Sequence, residues 1–313
     1  MKIATRSSKL ALEQTYFFQS WIPKQPTKII EIKTEGDKKS AMGEVLFDKA
    51  NFVSDIEECL IKDGADVAIH SAKDMPAFKH KELDHYFFGP RSRSDLLIFR
   101  KDIDPVFKKD MKLGTSSLRR KMQAKFYLGA KNVVPISGNV DTRINKLNSG
   151  DYDCIILAEA GCQRLKIDFE DLNYIELGHL TCAGQGVLAV QYKPDNKFVK
   201  EFLLEWQQNF LQRVIHDETE MEKRLLEKIG ASCNSAIAVR ANHEGPKGVD
   251  KIIKGEIYGL NEYISFEGKS SDVDAAINDV TMTLVVPIKN IFFLPTISAI
   301  RPKINTNIAL AIR

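Results

Sequence analysis

Gly64-Ala65-Asp66-Val67-Ala68-Ile69-His70 and, further along, Gly150-Asp151-Tyr152-Asp153-Cys154-Ile155-Ile156-Leu157 are two versions of one pattern. In each, a Gly closes a helix, an Asp follows, and a fully apolar strand runs into a polar loop. A strand apolar on both faces belongs inside a parallel sheet covered by helices. The elements ahead of them match too. Lys2-Ile3-Ala4 leads into Thr5-Arg6-Ser7-Ser8 and a helical stretch with Leu10, Gln14, Phe17, Phe18 and Trp21 on or near one face, stopped by Pro23. Lys112-Leu113-Gly114 leads likewise into Thr115-Ser116-Ser117-Leu118 and a second helical run. A repeated strand, hydroxyl turn and helix predicts two similar α/β lobes, with the loops at the carboxyl ends of their strands facing a shared cleft.

Outside the repeat, the pattern from about Phe198 to Ile229 is helical, with Met221, Leu225 and Ile229 at i, i+4 spacing and Gly230 as its C-cap. Strand-like runs follow at Ile237 to Ala241, Lys251 to Tyr258 and Glu262 to Glu267. Ser271 then opens a helix through about Val285, with Asp274 as a capping-box-like partner. This predicts a small third α+β domain. The full division is 1–98 plus 187–208, 99–186, and 209–313, with the tail from 287 unassigned.

Composition limits the chemistry. At 313 residues the chain suits two or three domains. Lys and Arg total 45 against 42 Asp and Glu, a net charge of +3, so bulk charge asks for neither nucleic acid nor an acidic membrane. Cys59, Cys154, Cys162, Cys182 and Cys233 form no Cys-x-x-Cys pair and have no companion His at zinc-finger spacing. That predicts a reducing compartment, no disulfide framework and no metal site. Arg6, Lys9 and Glu13 interrupt the N-terminus where a signal peptide needs an apolar run. The apolar tract Ile291 to Ile300 is too short to span a bilayer. A cytoplasmic protein is expected.

Anion-binding charge must therefore be local, and three basic, hydroxyl-flanked loops concentrate it: Thr5 to Ser8, Thr115 to Arg120, and Gly138-Asn139-Val140-Asp141-Thr142-Arg143. Each sits where a short apolar run gives way to a helical pattern, so backbone N–H groups, hydroxyls and guanidinium forks can converge on carboxylates or phosphates.

With these loops, Thr34-Glu35-Gly36-Asp37, His70-Ser71-Ala72-Lys73-Asp74-Met75-Pro76 and Ala183-Gly184-Gln185-Gly186 complete an ordered set. Its order and approximate spacing resemble the hydroxymethylbilane synthase (porphobilinogen deaminase) family from the first residues to about Ala241. The resemblance implies three domains, the first two like type II periplasmic binding proteins. It implies a monomeric transferase that joins four porphobilinogen molecules head to tail, with loss of ammonia, into linear hydroxymethylbilane. The chain grows from a dipyrromethane cofactor held by a cysteine thioether, and the matching residue is Cys233.

The resemblance places Asp74 at the reaction centre, where a carboxylate facing pyrrole N–H groups stabilises developing positive charge and can relay protons. Each pyrrole carries an acetate and a propionate, so binding roles fall on planar guanidinium forks. The resemblance assigns Lys73, Thr115, Ser117, Arg119, Arg120 and Arg143 to the cofactor, and Arg6, Ser8, Arg164 and Lys49 to substrate.

The chain departs from the family at Ser137, where Arg is usual before Gly-Asn-Val. It departs again at Asp48-Lys49-Ala50-Asn51-Phe52, at Ser54-Asp55, and at Ala236 and Ala238, which replace Pro and Gly. A catalytically impaired homologue is thus one alternative, and a non-catalytic carboxylate-binding protein of the periplasmic-binding-protein type is another.

Overall fold

The computed structural model describes residues 1–37, 53–231, 235–244 and 249–291. Cys233, Lys49 and the rest of the segment 38–52 lie outside them, as does the tail beyond Ile291.

The first lobe holds β1 (Lys2–Arg6), α1 (Lys9–Gln19), β2 (Lys28–Ile32), α2 (Ser54–Ile61), β3 (Val67–Ser71) and β4 (Asp84–Phe88). The second holds β5 (Asp95–Arg100), β6 (Lys112–Gly114), α3 (Leu118–Leu128), β7 (Asn132–Val134), α4 (Val140–Asn148), β8 (Cys154–Ala158), α5 (Glu159–Arg164) and β9 (Leu172–Leu177). β10 (Leu188–Tyr192) then returns to the first lobe.

The sheet orders are β2-β1-β3-β10-β4 and β7-β6-β8-β5-β9. In each, three parallel strands are followed by one antiparallel strand, β10 or β5, which enters directly from the other lobe. The lobes thus exchange a strand, and two crossovers, 89–94 and 178–187, join them. This is the two-lobed α/β architecture that the repeat predicts. β5 lies in the second sheet from Asp95 onward, pairing with β8 and β9 along its length.

The repeated Asp explains part of the likeness. Asp66 accepts the Lys2 N–H at 2.6 Å and returns its own N–H to the Lys2 carbonyl at 2.9 Å. Asp153 does the same to Lys112, at 2.7 and 3.0 Å. In both lobes one aspartate ties the entry of one strand to the start of its parallel neighbour, fixing the register. The hydroxyl turns also match: Ser8 caps α1 and Ser117 caps α3, each accepting the backbone N–H three residues on.

The expected single helix from Phe198 is two helices, α6 (Lys197–Gln208) and α7 (Phe210–Lys228). They break at Asn209, whose side chain accepts the Gln212 N–H at 3.2 Å and caps α7. α6 packs Val199, Phe202, Leu203 and Trp206 onto the first lobe beside Phe18 and Phe88. α7 packs Met221, Leu225 and Leu226 against the third domain: β11 (Ile237–Glu244), β12 (Asp250–Tyr258), β13 (Tyr263–Ser270) and α8 (Val273–Ile291). That sheet is antiparallel in the order β11-β12-β13, and α8 extends past the Val285 at which the sequence pattern ends it. Among the described residues no helix is long and apolar enough to cross a membrane.

Candidate active site between the two lobes

The basic loops lie at the carboxyl ends of parallel strands, β1 and β3 in the first lobe and β6 and β7 in the second. There a chain leaving a strand exposes backbone donors and a following helix presents its N-terminus. Lys9 at the start of α1 reaches Asp141 at the start of α4, Nζ to Oδ1 at 3.9 Å, so the first and third loops meet across the lobes.

Asp74 ends a short 3-10 turn, Ala72–Asp74, that leaves β3. Lys73 and Asp74 are half-buried there. The Asp74 charge acts on Arg143 from the second lobe and on His70 one turn back. His70 is buried, and burial pushes its imidazole down to about 4.

Arg143 and Arg164 are the most informative cations. Arg143 donates from Nε to the Gly138 carbonyl at 2.7 Å, and Arg164 from Nη2 to the Gly186 carbonyl at 2.5 Å. Among the described residues, neither forms an ion pair with a carboxylate of the chain. Burial pushes both guanidiniums down to about 10, with the Arg120 charge adding to the effect on Arg143. Two half-buried, permanently charged forks whose hydrogen-bond partners among the described residues are carbonyls are suited to an incoming carboxylate.

The other basic residues are arranged differently. Arg119 and Arg120 are buried and both turn onto Asp95: Arg119 Nη2 to Oδ2 at 2.9 Å, and Arg120 Nη2 and Nε to Oδ1 and Oδ2 at 2.6 and 3.1 Å. Burial alone would raise the Asp95 carboxyl, but the Arg120 and Arg119 charges outweigh it and hold the group far below the usual carboxylate range. Gln185 joins this network through Nε2 to Asp95 Oδ1 at 3.0 Å. Arg6 likewise has an internal carboxylate, Asp37 of the Thr34 to Asp37 motif, which also accepts the Thr34 hydroxyl at 2.7 Å. The Thr115 hydroxyl accepts the Ser117 N–H at 3.2 Å and the Ser117 hydroxyl the Arg120 N–H at 3.5 Å, shaping the loop.

At the departure Ser137, the Lys146 ammonium donates to the Ser137 carbonyl and hydroxyl at 3.2 and 3.3 Å. Ala236 and Ala238 are buried against Met122 and Tyr258, where a third-domain strand meets α3. Asp55 accepts the Glu35 N–H at 2.9 Å.

Sequence reasoning missed Asp95, Glu222 and Lys223. Glu222, fully buried on α7, receives Arg91 Nη2 at 2.5 Å, the Gly184 N–H at 2.8 Å and the Ala241 N–H at 3.0 Å. It thereby joins both crossovers to the third domain. The available signals were an acid heading the apolar strand Asp95–Arg100 and charges set beside Met221, Leu225 and Leu226 on a helix, because a buried charge needs a partner.

A dipyrromethane group bears acetate and propionate arms, and the donor set fits it: among the described residues Arg143 and Arg164 form no ion pair with a carboxylate and donate to carbonyls, and Lys73 lies beside Asp74. The chain leading to Cys233 leaves α7 through Ala231, which is buried in the third-domain core.

The family model described as "Porphobilinogen deaminase, dipyromethane cofactor binding domain" matches residues 1–201. A probable porphobilinogen deaminase of Methanocaldococcus jannaschii is 36% identical over 248 residues, 75% of this chain and 80% of that protein. The porphobilinogen deaminase of Clostridium novyi is 34% identical over 254 residues, 77% of this chain and 83% of that protein. Among solved structures, an amino acid ABC transporter substrate-binding protein from Streptococcus pneumoniae bound to L-arginine aligns with a TM-score of 0.36 at 14% identity, covering 71% of this chain and 95% of that one.

Proposed function

The chain belongs to the porphobilinogen deaminase family, and from that premise we propose that it is a working hydroxymethylbilane synthase, a transferase that joins four porphobilinogen molecules head to tail. The observation that carries this reading is the pair of guanidiniums on Arg143 and Arg164, which have carbonyl partners and no carboxylate of the chain among the described residues.

Dipyrromethane, when bound through Cys233, would supply the primer from which the oligopyrrole grows. In each condensation the aminomethyl carbon of one porphobilinogen becomes bonded to the free ring position of the preceding pyrrole. The carbon–nitrogen bond to the amine breaks, ammonia leaves, and the attacked ring gives up one proton. Arg143 and Arg164 hold acidic arms of the rings and set their spacing, each charge-assisted bond contributing about 1.5–3 kcal/mol. The Asp74 carboxylate accepts from pyrrole N–H groups, stabilises the positive charge that develops on them and takes up protons as they are released. Lys73, Thr115, Ser117 and Ser8 add donors around the same rings. Arg119 and Arg120 are assigned to the cofactor and Arg6 to substrate, each beside its internal carboxylate, Asp95 or Asp37. Lys49 is assigned to the same binding surface. A cytoplasmic monomer is part of this proposal.

The test is the intact mass of the purified protein with the Asp74→Asn variant beside it. Wild type should carry the mass of covalent dipyrromethane and consume porphobilinogen. Asp74→Asn should carry the same mass while losing about 100-fold or more of its turnover, the scale of a lost general acid–base group. A wild-type chain that stays at bare mass after incubation with porphobilinogen would refute the reading, as would an unimpaired Asp74→Asn.

A further inference from the structure

We infer that Lys223 is a positioning residue for Asp74: from α7 of the third domain its ammonium fixes the carbonyl immediately beyond the reaction-centre carboxylate. Lys223 is only 5% exposed, and its Nζ donates to the Met75 carbonyl at 2.7 Å in a buried contact. A buried bond from an ammonium is roughly twice as strong as one between neutral groups. The entrance of the turn is tied to the first lobe by the Ala72 N–H on the Val187 carbonyl at 3.0 Å, and its middle by the Met75 N–H on the Ala72 carbonyl at 3.3 Å. Beyond Met75 stands Pro76, which has no N–H to donate, and the carbonyl just before it, that of Met75, accepts the Lys223 ammonium.

Packing agrees. Met75 lies in a cluster against which Ile215 of α7 packs, and Ala77 is buried in the third-domain core with Met221 and Leu225. The segment 75–77 therefore rests on α7, and Lys223 adds the polar contact that fixes its rotation. Misplacing a reacting group by about 1 Å costs about 100-fold in rate.

The inference rests on the proposed function, and the experiment separates the two. Lys223→Met, Lys223→Gln and Lys223→Arg are made in the full chain, and turnover per loaded site, KM, intact mass and amide exchange at Met75 and Ala77 are measured. Lys223→Met should retain the dipyrromethane mass and a KM within about threefold, lose about 10- to 100-fold in kcat, and exchange faster at those two amides. Lys223→Arg should recover most of the rate, with Lys223→Gln between them. A Lys223→Met enzyme within twofold of wild-type kcat, or one with unchanged exchange at Met75 and Ala77, overturns the inference. Should Lys223→Met fail to fold, equal rates in the Gln and Arg variants overturn it, as does failure of all three to fold. A wild type without turnover condemns the function instead.

Discussion

The Arg164 guanidinium, at the end of α5 in the second lobe, donates to the carbonyl of Gly186 at 2.5 Å, at the point where the second crossover re-enters the first lobe. A cation assigned to substrate thus touches the segment that joins the lobes. On the proposed assignment, an acidic arm arriving at Arg164 would bind beside the junction and compete for the same fork.

Removing that fork with Arg164→Met should raise KM for porphobilinogen by about 10- to 100-fold, the loss of one charge-assisted contact of about 1.5–3 kcal/mol, with little change in melting temperature. Steady-state kinetics at saturating and limiting substrate check this. An unchanged KM would take Arg164 out of the binding surface.

Gly186 itself tolerates no side chain. Its φ is +82°, and a Cβ would stand 2.1 Å from the Ser92 carbonyl oxygen and 2.7 Å from the Ser92 nitrogen on the other crossover. Both neighbours are backbone, so Gly186→Ala should cost about 2–3 kcal/mol or more, combining left-handed strain with overpacking. Urea unfolding midpoints measure it, and a midpoint equal to wild type would disprove the close crossing.

Asp95 supports Arg119 and Arg120 together, so Asp95→Asn leaves two buried guanidiniums without their carboxylate. A loss of about 3–5 kcal/mol is expected, read as a fall in melting temperature at pH 7. The carboxyl titrates in the folded protein well below its unfolded value of about 3.9. Its stabilisation is therefore whole above about pH 4 and is lost as pH falls toward the folded value. The variant should show a flatter acid limb below pH 4 than wild type.

His70 works in a milder range. Folded, it titrates at about 4, whereas unfolded it titrates near 6.5. As pH falls the unfolded chain takes up the proton first, so stability declines from about pH 6.5 down to 4, by about 3 kcal/mol in all, and is fully present above 6.5. His70→Leu should flatten that slope. Equal slopes in the two proteins would show that the imidazole is not held neutral.

The architecture was largely legible because its signals are short-range. The aspartates before the apolar strands, the serines capping α1 and α3, and the glycines closing helices each act within a few residues or on the adjacent strand. The break between α6 and α7 was also written locally, in Asn209 as a cap, but the apolar pattern runs on through it and masks it. The six motifs located the site, yet not the partners of its charges. Arg119, Arg120 and Arg143 stand alike in sequence, at helix starts beside hydroxyls, and of the three only Arg143 forms no ion pair with a carboxylate among the described residues.

Sequence alone determined the repeated strand, turn and helix units, the place of the basic loops at strand ends, and the carboxylate at 74, because propensity, capping and binary pattern are properties of neighbouring residues. Tertiary structure alone decided that Asp95 pairs with two arginines 24 and 25 positions away, and that Lys223 reaches back across 148 to the carbonyl of Met75 in the Asp74 turn. The first pairing follows from the packing of α3 against the start of β5, and the second from the seating of α7 across both crossovers. A charge whose partner lies on a distant element leaves no mark in the residues beside it.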